Sequence, residues 1–181
     1  MKVILTALLC VSCLIFSYSQ SVPELDNGRK PVVAKVDLKK TINKVLETWH
    51  KAASDADFDA YFKLMTKDGV FIGTDATENW QLKAFKAFSK PYFDKGKAWS
   101  FTAVERNIYI YEDQKIAWFD ELLDTQMKLC RGSGVMKLEN NEWKIAHYVL
   151  SIAIPNENVE DVIKLKKTFD DKLTKTLKAK N

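Results

Sequence analysis

The sequence predicts an α+β domain: a curved antiparallel sheet packed on N-terminal helices. Three observations predict it. Apolar residues recur at helical spacing in the first part of the chain, alternate two by two from Trp99 onward, and closely spaced turns separate the alternating runs. Helices gathered on one side of a hairpin-built sheet form this class. A long twisted sheet curling around helices leaves room for a cavity between the layers.

The helical part starts at Asp37, a good N-cap, followed by Leu38, Ile42, Val45, Leu46, Trp49 and Ala53 along one face. Asp57 caps a shorter second helix carrying Phe58, Tyr61, Phe62 and Met65. Asp68 and Gly69 read as a turn, Val70–Ile72 as a short strand, and Gly73–Asp75 as its end. Thr77 is placed to cap a third helix with Trp80, Ala84, Phe88 and Tyr92 along one side. Strands follow over Trp99–Tyr111, Lys115–Leu129, Arg131–Leu138 and Trp143–Ile154, with turns at Glu112–Gln114 and Asn140–Asn141. Regular alternation puts Val104, Ile108 and Ile110 on one face of the first and Phe101, Ala103, Tyr109 and Tyr111 on the other. A last helix starts at Asn156 or Asn158, with Val159, Val162, Ile163, Phe169 and Leu173 on one face.

The whole divides into a leader (1–19), a Pro- and Gly-containing lead-in (20–36), the main domain (37–155) and a C-terminal amphipathic helix (156–181). The leader has Lys2, an apolar run from Val3 to Phe16, and small residues Ser17 and Ser19 before a cleavage site after Ser19. The run is short for a membrane span, so no stable anchor is expected after cleavage, and a periplasmic or secreted location follows. A loose lipobox ending at Cys13 offers the alternative of lipidation. Cleavage removes Cys10 and Cys13 and leaves Cys130, which one expects to pack as a small apolar residue.

A content of 46% hydrophobic and 29% charged residues describes a globular chain with enough core to need neither disulfides nor metal. The net charge of +4 comes largely from tail lysines with only Phe169 among them. Nucleic-acid binding calls for stacking aromatics among the basic residues, so a solvated helix face is the simpler reading. Two histidines and one mature cysteine argue against a zinc site. No P-loop, GxGxxG, GxSxG, HExxH or CxxC occurs, and no cofactor is implied.

Several segments in this order resemble the SnoaL-like branch of the nuclear transport factor 2-like superfamily. They are Trp49, Phe71-Ile72-Gly73-Thr74-Asp75, Trp80, Ala117-Trp118-Phe119-Asp120-Glu121, Arg131-Gly132-Ser133-Gly134-Val135 and Trp143 through Ser151. The resemblance spans about Val36 to Pro155. It implies a conical, commonly dimeric domain with a pocket between sheet and helices. It also implies a choice among isomerases, cyclases, dehydratases and plain binding or association modules, because the fold does not fix the function. Catalytic members often use a pocket carboxylate, and the chain does not reproduce any complete catalytic set.

Three residues are catalytic candidates. Asp75, where a strand hands over to a helix, points into a cavity if desolvation is to raise its pKa, or else it caps a turn. His147 in mid-strand suits acid–base work near neutral pH, or it is a hydrogen-bonded structural residue. Regular alternation gives it the same face as Trp143, Ile145, Val149 and Ser151. Of Asp120 and Glu121, one faces in and one out; Asp120, beside Trp118, is taken as inward, with Arg131 as its ion-pair partner or as a clamp for a substrate carboxylate. Trp49, Tyr61, Trp80, Trp118 and Arg131 are the candidate ligand-binding residues, although most such aromatics are core.

The leading expectation is therefore an exported pocket protein for a small, partly apolar ligand. A cofactor-independent acid–base enzyme and a dimeric association module are the alternatives. The last would use Trp99, Phe101, Tyr109 and Tyr111 as its contact surface.

Overall fold

A computed structural model describes residues 37–180. The leader, the lead-in and the Cys13 lipidation site lie outside the described residues. Helices α1 (Leu38–Ser54) and α2 (Phe58–Lys63) precede strand β1 (Met65–Ile72), a short β2 (Asn79–Gln81) and α3 (Leu82–Asp94). Strands β3 (Phe101–Ile110), β4 (Ile116–Thr125), β5 (Lys128–Glu139) and β6 (Glu142–Ile152) form an antiparallel meander, and α4 (Val159–Lys178) follows a single 3-10 turn. All six strands join one sheet in the order β2-β1-β6-β5-β4-β3, with β1 parallel to β6.

The predicted caps hold locally. Asp37 accepts from Lys40 N and Asp57 from Ala60 N, each satisfying a backbone donor left open by its helix. Thr77 does not cap α3. It lies in the loop before β2, and Gln81 occupies the N-cap position with no side-chain bond. Asp68 and Gly69 are inside β1 rather than in a turn. One hairpin turn, at Gln126–Met127, divides what alternation alone reads as a continuous strand, and Lys128 takes a φ of 69° there.

The helical layer and the inner sheet face meet through aromatic rings. Trp49 stacks on Tyr61 at 4.9 Å and meets Tyr148 edge-on at 4.8 Å, while Phe71 stacks on Phe85 at 4.1 Å. Trp49, Tyr61, Tyr148 and Phe85 are essentially fully buried. Burying such a side chain stabilises by about 1.5–3 kcal/mol, so these rings are a principal hold between the two layers.

Two bulges decide which side chains reach that core. Val104 has no partner between Ala103, opposite Leu123, and Glu105, opposite Leu122. Ala146 is likewise extra between Ile145, opposite Met136, and His147, opposite Val135. An extra residue reverses the facing of everything beyond it. In β6, Trp143 and Ile145 point inward before the bulge, Tyr148 and Leu150 after it, and His147, Val149 and Ser151 outward. His147 therefore does not share the face of Trp143 and Ile145. In β3, Phe101 is buried along with Ile108, and Tyr109 is on the opposite face, half exposed.

Candidate functional site

Beneath α1 lies a buried polar cluster centred on Glu121, whose side chain has 0% exposure. Arg106 sits directly opposite it on β3 and donates from Nε to Glu121 Oε2 at 2.7 Å. Its Nη2 approaches the same oxygen to 2.7 Å with poorly directed hydrogens, a charge contact rather than a hydrogen bond. Arg106 Nη1 donates to Asn43 Oδ1 on α1 at 2.7 Å. On the other carboxylate oxygen, Tyr148 OH donates at 2.9 Å and His50 Nε2 lies at 2.8 Å. A carboxylate only accepts, so His50 carries a hydrogen on Nε2, and its Nδ1 is left without a partner. Gly132, opposite Glu121 on β5, creates the space: a Cβ there would stand 2.2 Å from the Tyr148 hydroxyl.

Burial pushes the Glu121 carboxyl up. The hydrogen bond and charge of His50, with the Arg106 guanidinium, outweigh that and hold it below the ordinary glutamate range. Burial, then the neighbouring Glu121 charge, pushes the Tyr148 phenol well above its usual value. A carboxylate saturated by donors and held ionised is poorly suited to exchange protons with a substrate. Its arrangement suits a pin joining α1, β3, β4 and β6.

Aromatic packing fills much of the space between the layers, and one opening beside it, smaller than the more polar clefts along α1, is a cleft of about 120 Å³ at the end of α3 nearest β2. Phe71, Trp80, Phe85, Phe88, Trp99 and Met127 supply its apolar wall. Thr74, Glu78 and Gln126 are its polar members. Trp80 stacks on Phe88 at 4.3 Å, and Phe85 lies 5.8 Å from both Trp80 and Trp99. Trp99 Nε1 and Tyr61 OH are buried and face each other, with ring centroids 5.6 Å apart; burial pushes the Tyr61 phenol well up, and the bond from Trp99, short of ideal geometry, works against that rise.

The residues expected from sequence are dispersed. Asp75 is fully exposed in the β1–β2 loop, and its Oδ1 accepts from Thr77 N at 2.8 Å and from the Thr77 hydroxyl. Those bonds lower its pKa, the reverse of the rise that a cavity position requires. Asp120 points outward and accepts from Asn107 Nδ2 at 3.1 Å; Glu121 is the inward acid. The expected Asp120–Arg131 pair is not formed, because Asp120 lies across from Ser133 while exposed Arg131 lies across from Leu122. His147 and Trp118 are also on the outer face, where Trp118 stacks on Tyr109 at 5.7 Å. Trp49 and Tyr61 are core, so Trp80 is the one expected ligand-binding residue that lines the cleft.

Sequence reasoning missed Arg106, Tyr148 and Glu78, and of the two neighbouring acids in β4 it chose Asp120 over Glu121. The signal for Glu121 and Tyr148 was present in Gly132, a mid-strand glycine that marks the close approach of both side chains. Residues 42–155 match the model of the SnoaL-like domain family. The chain belongs to that family. This SnoaL-like chain is similar to an NTF2-like protein of unknown function from Pseudomonas putida KT2440, at 15% identity and a TM-score of 0.56, covering 67% of this chain and 90% of that one. An NTF2-like protein from Cytophaga hutchinsonii aligns at 17% identity and 0.54, covering 64% and 98%. The association domain of CaMKII from C. elegans aligns at 21% and 0.53, covering 63% and 95%. At these identities the likeness concerns the fold alone. No curated protein matches the chain significantly.

Proposed function

We propose that this SnoaL-like domain is exported and binds a small, partly apolar molecule in the aromatic cleft beside α3. The observation that carries the reading is the cleft itself: an aromatic wall around about 120 Å³. An apolar cavity of about 150 Å³ accommodates a benzene molecule, so the cleft suits one ring or one short branched chain. The apolar leader ending at Ser19 supports export.

Trp80 and Trp99 make the cleft self-reporting. Saturable changes in tryptophan fluorescence, with a matching rise in melting temperature, are the result expected from a panel of one-ring and short branched compounds. Trp80→Ala should abolish both. A panel with no saturable binder sinks the reading. The acid–base enzyme draws less support, since Asp75, Asp120 and His147 occupy three separate surface positions and the buried Glu121 is saturated by its donors.

A second reading, association with another copy, is favoured by the outer sheet face. Tyr109, Trp118, Val135, His147 and Val70 form one cross-strand row there. Tyr109 and Trp118 stack on each other and remain 45% and 44% exposed, a joined apolar surface rather than scattered single rings. Trp99 and Phe101 face the interior and do not join this surface. Fold similarity to a domain whose name denotes association adds support.

A further inference from the structure

We infer that the ligand of the aromatic cleft is a cation of the alkylammonium class, recognised by Glu78; this rests on the cleft being a binding site. Of the twelve residues lining the cleft, Glu78 is the one with an ionisable side chain. No Lys, Arg or His contributes to the wall, and among the described residues Glu78 has no salt-bridge partner. Its Oε2 accepts one long bond, from Asp75 N at 3.3 Å, so most of the carboxylate's accepting capacity is unused.

The carboxylate is placed by construction. Glu78 N donates to Asp75 O at 2.9 Å and Gly73 N to Glu78 O at 3.0 Å, closing the loop on itself. Asp75 tightens the same loop through Thr77. The side chain then folds over Gly73, where a Cβ would stand 2.1 Å from Glu78 Oε2. A larger residue at position 73 would expel the carboxylate. The result is a fixed negative charge set against a wall of π-rich rings, with no positive charge beside it. Aromatic rings and a carboxylate both attract an ammonium head and both disfavour an anion, while its methyl groups suit the apolar wall. An ammonium bearing small alkyl groups also fits the volume better than an extended polyamine does.

Choline and its uncharged carbon isostere, in which carbon replaces the quaternary nitrogen, separate charge from shape. Binding to the full chain is read by tryptophan fluorescence and calorimetry. Choline should bind about tenfold or more tightly than the isostere. Glu78→Gln, and Gly73→Ala by displacing the carboxylate, should each cut choline's advantage over the isostere by about threefold or more, the remainder being what the rings supply. Two variants are used so that a folding defect in one does not decide the matter, and circular dichroism checks each. If choline binds no better than the isostere, or the preference survives both variants undiminished, the assignment of a cation recognised by Glu78 is overturned and the apolar cleft stands. If neither compound binds, the assignment fails, and the full compound panel then decides whether the binding reading falls with it.

Discussion

Arg106 and Glu121 face each other across the β3–β4 pair, both buried, with Arg106 Nε donating to Glu121 Oε2 at 2.7 Å. Each charge depends on the other for its place in the core. Arg106→Met should therefore cost about 3–5 kcal/mol, because it leaves a buried carboxylate without its permanent countercharge. The urea midpoint of the variant against the parent measures this. A loss below about 1 kcal/mol would show that His50 and Tyr148 suffice.

Acid should release the same cluster. Glu121 is held below the ordinary value of 4.5, so as pH falls the unfolded chain takes up the proton first. The stability it contributes is intact above pH 4.5 and lost as pH falls through the lower folded value. Glu121→Gln lacks this dependence, so its deficit relative to the parent should narrow progressively in acid. Urea midpoints taken across the acid range test it, and parallel curves would refute it.

The alkaline limb has the opposite sign. Burial raises both Tyr61 and Tyr148, and the Glu121 charge adds to the rise at Tyr148. Their contribution is present below 10.0 and lost as pH rises through their folded values. Tyr148→Phe should lower stability near neutrality by about 1.5–3 kcal/mol, the worth of a bond to a charged acceptor, and weaken the alkaline loss. Denaturation at neutral and alkaline pH measures both effects.

Glycine at position 134 is a packing requirement. A Cβ there would stand 2.4 Å from the His147 carbonyl oxygen and 2.8 Å from Phe119 Cζ. Backbone cannot swing aside as a side chain can, so Gly134→Ala should cost at least about 1–3 kcal/mol. A melting temperature equal to the parent's would contradict the geometry.

No α4 side chain is buried, although Val159, Ile163, Leu165, Phe169 and Leu177 lie along it. Ending the chain after Pro155 should leave the thermal transition of the domain nearly unchanged. Trp118→Glu addresses the outer face instead: if copies associate there, sedimentation should show the variant as monomer where the parent is larger.

How far the sequence could be read depended on local regularity. The α1 face of Ile42, Leu46, Trp49 and Ala53 followed from its period, and its start from one aspartate, because both are set within a turn of helix. The four-strand meander was legible from its turns at Glu112–Gln114 and Asn140–Asn141, while the turn at Gln126–Met127 was hidden by continuous alternation. β2 was not, since three residues carry no measurable alternation. Facing was the hardest part. In β4, Trp118 and Leu122 compete with Phe119 and Leu123 for the core, and nothing within the strand ranks them. In β3 and β6 the bulges at Val104 and Ala146 break the count silently. The errors at Asp120 and His147 come from those two causes.

The parallel pairing of β1 with β6 has a consequence for folding kinetics. The meander needs only short loops to close, so its ladders can grow one hairpin after another. Val70 and Ile72 meet His147 and Val149 across more than seventy intervening residues, and His50 lies equally far from Glu121. Closing such loops early costs entropy before any contact rewards it. The order of assembly expected is therefore meander first, with the docking of the helices and β1 last, so that His50 and Asn43 join the ionic cluster in the final step. Mutations of His50 and Asn43 should then accelerate unfolding while leaving the folding rate nearly untouched.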